Sequence, residues 1–181
     1  MIHIRKGTVA DLDAIMACYD AAKRYMRQNG NHNQWINGYP SRELVTDDIA
    51  SGISYVGVDD HGDVAMAFVF IIGQDPTYAV IEDGQWPDSL PYGTIHRLGS
   101  NGRHHGILRI CVDFCMGAID NIRLDTHADN ITMQRAAEKL DFRRCGIIRC
   151  ADGSPRIAYQ KSQFSRRITV PEALVIKHKF S

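Results

Sequence analysis

The chain has 181 residues, of which 44% are apolar, 8% aromatic and 23% charged. These proportions suit one globular domain with a substantial core and exclude a disordered or fibrous chain. Lys and Arg number 21, as do Asp and Glu, so no net charge draws the whole protein to nucleic acid or to an acidic membrane.

No apolar run approaches the ~20 residues that cross a bilayer. Met1-Ile2-His3-Ile4-Arg5-Lys6 lacks the apolar core of a signal peptide, and a cytoplasmic protein is expected. The 5 cysteines (Cys18, Cys111, Cys115, Cys145 and Cys150) include no C-x-x-C pair. Reduced, mostly buried thiols are expected, rather than a disulfide framework, a zinc knuckle or any other metal site.

Ile2–Arg5 reads as a short strand. Thr8-Val9-Ala10-Asp11 is a capping box, with Thr8 accepting from a free helix amide. Leu12, Ile15, Met16, Tyr19, Ala22 and Met26 recur at three- and four-residue steps and predict a helix from Val9 to Gln28, closed by Gly30. Asn31–Pro40 is a polar loop with embedded aromatics. Ser41 caps a second helix that buries Leu44, Val45 and Ile49 and ends at Gly52. Ile53–Val58 and Val64–Ile72 form a hairpin around Asp59-Asp60-His61-Gly62.

Gly73–Pro91 holds three prolines and a candidate strand at Tyr78–Ile81. Thr94–Leu98 is a strand, broken by Gly99-Ser100-Asn101-Gly102. A helix follows over His104–Gly117, facing inward with Ile107, Ile110, Cys111, Phe114 and Cys115. Ile122–Thr126 is the next strand. Asp129 or Asn130 caps a helix running to Leu140, with Met133, Ala136, Ala137 and Leu140 inward. Phe142–Cys150 and Pro155–Lys161 form a last hairpin. The order β-α-α-β-β-β-α-β-α-β-β predicts an α/β fold of one mixed sheet with helices on both faces. One domain spans residues 1–162, and 163–181 is a tail.

Thr94–Asp113 is the segment richest in chemistry. A strand enters a glycine-containing loop, and the loop opens a helix. The first turn of a helix has N–H groups without internal partners, and its dipole favours negative charge. An anion site of the kind used for pyrophosphates is expected there. No Asp or Glu lies between His96 and Val112, where Arg97, Arg103, Arg109, His96, His104 and His105 make a cationic stretch. A solvated basic connection accounts for the same residues equally well. A Walker loop is absent, and Gly99, Gly102 and Gly106 do not have dinucleotide-fingerprint spacing.

In this element order the segment resembles the GCN5-related N-acetyltransferase (GNAT) family. Arg103-His104-His105-Gly106-Ile107-Leu108 is similar to that family's [QR]-x-x-G-x-[GA] motif and departs from it at Leu108. Ile95-His96-Arg97-Leu98 looks like its splayed strand. Arg123–Phe142 looks like its strand–helix segment ending in E-K-x-G-F, although Ala137 stands where many members carry a tyrosine that protonates the leaving thiolate. The likeness covers Ile2 to Lys161.

The resemblance implies a GNAT fold and direct acetyl transfer from acetyl-coenzyme A, as co-substrate, to the amine of a small molecule or peptide. It places the pyrophosphate on the amides of Arg103, His104, His105, Gly106, Ile107 and Leu108, and a cofactor contact at Asn130. It gives the thioester oxygen a main-chain donor at Leu98 or Gly99. Members are often homodimers.

Histidine titrates near neutrality, so His96 is the candidate base, with Glu82 in reserve. Hydrogen bonding beneath the sheet is the structural alternative for His96. Cys145 is a candidate proton donor, as is Tyr159, and core packing is the commoner reading of both. Trp35 and Tyr39 are candidate walls for the acceptor, with Trp86 as a second wall. Two other readings fit: a coenzyme A-binding sensor with weakened catalysis, suggested by Leu108 and Ala137, and a partner-binding protein that takes no coenzyme A.

Overall fold

The computed structural model describes residues 1–163; the remainder of the expected tail lies outside them. The elements are β1 (His3–Lys6), α1 (Leu12–Gln28), α2 (Arg42–Ala50), β2 (Ser54–Val58), β3 (Val64–Ile72), β4 (Gly93–Ser100), α3 (Ile107–Met116), β5 (Asn121–Thr126), α4 (Ile131–Lys139), β6 (Arg143–Arg149) and β7 (Pro155–Ser162). Their order is the one expected. They form a 7-stranded sheet in the order β1-β2-β3-β4-β5-β7-β6. β4 and β5 run parallel, and every other neighbouring pair is antiparallel.

Strand alternation sends successive side chains to opposite faces. On one face Met66, Phe68, Phe70, Ile95, Ile122, Leu124, Ile157 and Tyr159 pack against α3 and α4. On the other, Val56 and Ala67 pack against Leu12, Ile15, Cys18, Tyr19 and Val45 of α1 and α2, while Tyr78, Tyr92, Ile148 and Ala158 form a smaller cluster. Among the described residues, no helix is long and apolar enough to cross a membrane.

Several elements differ from expectation. Val9–Asp11 is a 3-10 turn, and the α-helix begins at Leu12. The cap works through Asp11, which accepts from the Thr8 main-chain N–H at 2.9 Å and from the Thr8 hydroxyl at 2.7 Å. Both Arg5 amino groups also bind Asp11, at 2.7 and 2.8 Å, and hold its carboxyl well below the usual range. Tyr78–Ile81 is no strand. Pro76 has no N–H to give a ladder, and the Asp75 carboxylate accepts from the Thr77 N–H at 2.9 Å and its hydroxyl at 2.6 Å, fixing a 3-10 turn over Pro76–Tyr78.

The helix expected from His104 starts at Ile107, because Gly106 takes the left-handed conformation, with φ 71°. Its buried face is Leu108, Cys111, Val112, Cys115 and Met116, rotated from the set expected, and Phe114 is partly exposed.

Candidate functional site

The loop from Asn101 to Gly106 carries the chain from β4 into α3. Asn101 shapes it: its side chain accepts from the Arg103 N–H at 3.0 Å and donates to the Val64 carbonyl at 3.2 Å. The first helical bond runs from the Ile110 N–H to the Gly106 carbonyl at 3.1 Å. Among the described residues, no protein acceptor takes the main-chain N–H of any residue from His104 to Arg109. A Cβ on Gly106 would meet nothing within 4 Å, so it would project into the open space before the helix. Unpaired donors and the positive end of a helix therefore face one accessible concavity, which fits a diphosphate.

The side-chain charges expected around this loop are largely engaged elsewhere. His104 Nε2 lies 3.2 Å from Asp59 Oδ2, and Arg103 Nη1 lies 3.4 Å from Asp63 Oδ2, so the β2–β3 turn tethers the loop. Arg97 is half-buried and paired with Asp48 of α2. The expected cationic patch thus shrinks, and the anion site rests on the backbone. Leu108 is 7% exposed and points into the core beneath α3, so its departure from the motif does not crowd the phosphate position.

β4 and β5 pair at Gly93–Ile122, Thr94–Arg123 and Ile95–Leu124 and then part, although β4 continues to Ser100 and β5 to Thr126. On its other edge β4 carries a bulge: Ala67 of β3 opposes Gly99 and Val69 opposes His96, leaving Arg97 and Leu98 across from one residue. Arg97 has φ 52°, in the left-handed region that costs an ordinary residue about 1–2 kcal/mol. The bulge brings His96 and Arg97 to the same face. There Arg97 Nη2 sits 2.7 Å from both Asp48 oxygens, and Nη1 donates to the Tyr39 hydroxyl at 3.0 Å.

The Asn101 N–H donates to Ala65 of β3 at 2.9 Å. By alternation the Gly99 N–H also points toward β3, and the Leu98 N–H points into the gap. Gly99 is required for another reason: a Cβ there would stand 2.8 Å from the Tyr19 ring.

His96 heads the gap, one residue beyond the last β4–β5 pair. Its Nε2 lies 2.7 Å from Asp75 Oδ2, and its Nδ1 lies 3.9 Å from Asp125 Oδ1. The Tyr78 hydroxyl donates to Asp125 Oδ1 at 2.6 Å, and the Tyr78 ring stands edge-on to His96 with centroids 5.8 Å apart. Burial alone would raise the Asp75 carboxyl, but the hydrogen bonds from His96 and Thr77 outweigh it and bring the pKa down to about 2. His96 is thus both hydrogen-bonded beneath the sheet and placed at the gap, and both readings of it hold.

The other expected site residues fall in several places. Glu82 is not at the gap. It bridges Ile147 on the outermost strand, β6, and its carboxylate binds Arg149 at 2.8 and 3.1 Å. Cys145 is a core thiol on the same strand, 3.2 Å from the Arg143 carbonyl and pushed up by burial. Tyr159 is fully buried in β7 opposite Leu124.

Trp35 packs edge-on to Tyr19 at 5.5 Å and to Tyr39 at 6.4 Å, close to the Arg97 pair. Trp86 is committed to structure. It stacks on Tyr78 at 5.6 Å, donates to the Tyr78 carbonyl at 3.0 Å and lies 3.8 Å from the Arg123 guanidinium. Asn130 caps α4 by accepting from the Met133 N–H at 3.1 Å and donates to Gln34 at 3.0 Å, which ties the Asn31–Pro40 loop to α4. Ala137 is fully buried against the sheet.

Sequence reasoning missed Asp75, Tyr78 and Asp125. The pair Asp75-Pro76 is a turn-capping signature, and Asp125 is an acid in a buried strand; either could have flagged the cluster.

No protein-family profile matches the chain, and neither does any curated protein. Solved structures do. A crystal structure of a GNAT-family acetyltransferase from Streptococcus agalactiae is 32% identical over 90% of this chain and 95% of that one, with a TM-score of 0.81. A Staphylococcus aureus structure is 24% identical over 88% and 97%, with a TM-score of 0.64. A GNAT-family acetyltransferase from Listeria monocytogenes is 18% identical over 89% and 94%, with a TM-score of 0.65. The last two share the fold.

Proposed function

We propose that this chain, which belongs to the GNAT family of acetyltransferases, transfers the acetyl group of acetyl-coenzyme A to an amine, with His96 as the general base. The observation that carries the reading is the unpaired main-chain N–H run from His104 to Arg109, opening beside a gap between β4 and β5 that His96 heads.

Acetyl-coenzyme A would supply the acetyl group as a thioester. The amides of His104–Arg109 would hold its diphosphate, and the Leu98 N–H would donate to the thioester oxygen. Asp75, bound at Nε2, would fix the imidazole with a proton on that nitrogen and leave the Nδ1 lone pair free toward the gap. His96 would take a proton from the acceptor through Nδ1, and Asp75 would stabilise the imidazolium. The amine nitrogen then bonds the acetyl carbon as the C–S bond breaks. With Ala137 buried in place of a phenol, the sulfur leaves as thiolate, which a thiol of pKa about 8.5 tolerates.

Incubation with acetyl-coenzyme A and a panel of primary amines, read by thiol release, tests the reading. Turnover on some amine is expected. Tight coenzyme A binding without turnover on any amine would contradict it.

A further inference from the structure

We propose that the Thr126 hydroxyl is a further catalytic group, which donates a hydrogen bond to the coenzyme A sulfur as the thioester C–S bond breaks. The inference rests on the acetyl-transfer reading and adds a residue to it.

Thr126 is the last residue of β5. Ile122 and Leu124 of that strand face α3 and α4, so by alternation Thr126 faces them too. The residue is buried, at 1% exposure. Among the described residues its Oγ1 has no hydrogen-bond partner. Burying an unpaired hydroxyl is costly, and a valine would fill the same space without that cost. The chain therefore keeps here a donor that the fold does not use.

Thr126 stands across the gap from the main-chain donor assigned to the thioester oxygen. β4 and β5 pair last at Ile95–Leu124. Carrying that register across the gap, with Arg97 and Leu98 counted as the single step they make against β3, sets Thr126 opposite Leu98. The sulfur is bonded to the same carbon as the oxygen that the Leu98 N–H would hold. Leu98 itself packs on the α3 and α4 face, the side from which a diphosphate held at α3 would bring its sulfur. His96 lies on the other face, against Tyr78. The amine would thus lose its proton and attack on the His96 face, and the sulfur would leave on the Thr126 face. Tyr159, also without a partner and on the α3 and α4 face, stands on β7, with β5 between it and the gap.

The amine nitrogen bonds the acetyl carbon, the C–S bond breaks, and its electron pair goes to sulfur. Thr126 keeps its proton, because an alcohol is a far weaker acid than a thiol. A hydrogen bond to an ionised acceptor is about twice as strong as one to a neutral acceptor, so the contact favours the departing thiolate over the bound thioester.

The test compares wild type, Thr126→Val and Thr126→Ser as full chains. Coenzyme A bound to each is titrated with base, and its thiolate is read by ultraviolet difference absorbance against the free protein. The bound thiol should be roughly tenfold the stronger acid in wild type than in Thr126→Val, and Thr126→Ser should restore it. On the amines that wild type acetylates, Thr126→Val should lower kcat roughly tenfold to a hundredfold, with KM for acetyl-coenzyme A within twofold. Thr126→Ser should keep most of the rate. Because the hydroxyl has no protein partner, Thr126→Val should unfold at the same denaturant concentration as wild type or at a higher one.

Equal thiol acidity in Thr126→Val and wild type, an unchanged kcat, or a valine variant that unfolds at lower denaturant overturns the thiolate donor and leaves the acetyl-transfer reading standing. Wild-type protein that fails to bind coenzyme A, or that binds it and turns over no amine, overturns both.

Discussion

At the mouth of α3 the candidate groups are main-chain N–H groups of consecutive residues, His104–Arg109, set by one loop and two left-handed glycines, Gly102 and Gly106. Beneath β4 they are side chains brought from β4, β5 and the segment before β4: His96, Asp125, Asp75 and Tyr78. The first region depends on backbone conformation and tolerates side-chain change, as the inward-facing Leu108 shows. The second depends on the identity of each side chain and on a bulge that places two successive residues on one face. If the diphosphate rests on these amides, the motif can change at Leu108 without loss of binding, while a single change at the proposed chemical end removes a role.

The contrast breaks most visibly at His96. His96→Ala should lower kcat by about a hundredfold or more, the usual scale for losing a positioned base, with acetyl-coenzyme A affinity nearly unchanged in calorimetry. Leu108→Ala separates packing from binding. Its cost should be about 2–4 kcal/mol in denaturant unfolding, as for other buried leucines, while the folded protein keeps its coenzyme A affinity.

Gly106→Val attacks the backbone itself. Forcing a β-branched residue to φ 71° costs about 1–2 kcal/mol, so coenzyme A affinity should fall roughly tenfold with kcat preserved at saturation.

Acid stability gives the smallest and most specific signal. The Asp75 pKa is lower in the folded chain than in the unfolded one, so its stabilisation is complete above about pH 4 and is lost as pH falls through about 2. His96→Ala removes one of the bonds that lower it. The acid-unfolding midpoint should therefore move to higher pH, by an amount equivalent to about 1–2 kcal/mol at pH 4.

The same contrast explains what was legible in the sequence. Periodicity gave the element order, because each helix and strand writes its own apolar spacing locally. The α3 loop was legible because its residues are contiguous. Its exact start was not, since only the φ of Gly106 decides where the helix begins. The cationic stretch was overread, because Asp48, Asp59 and Asp63, which neutralise it, are far away in the chain. His96 was a candidate by residue type, and the structure puts it at the head of the gap between β4 and β5. Glu82 was misplaced because Gly73–Pro91 follows no period, and only the structure shows that segment bringing Asp75 and Tyr78 beneath β4 while Glu82 bridges β6 and reaches Arg149.

The most direct measurement is the amide spectrum of 15N-labelled protein titrated with coenzyme A and, separately, with pantetheine. Coenzyme A should move the N–H resonances of His104 through Arg109 strongly downfield, and pantetheine, which lacks the diphosphate, should leave them in place. If coenzyme A binds without moving these resonances, or does not bind, the backbone cradle does not hold the diphosphate.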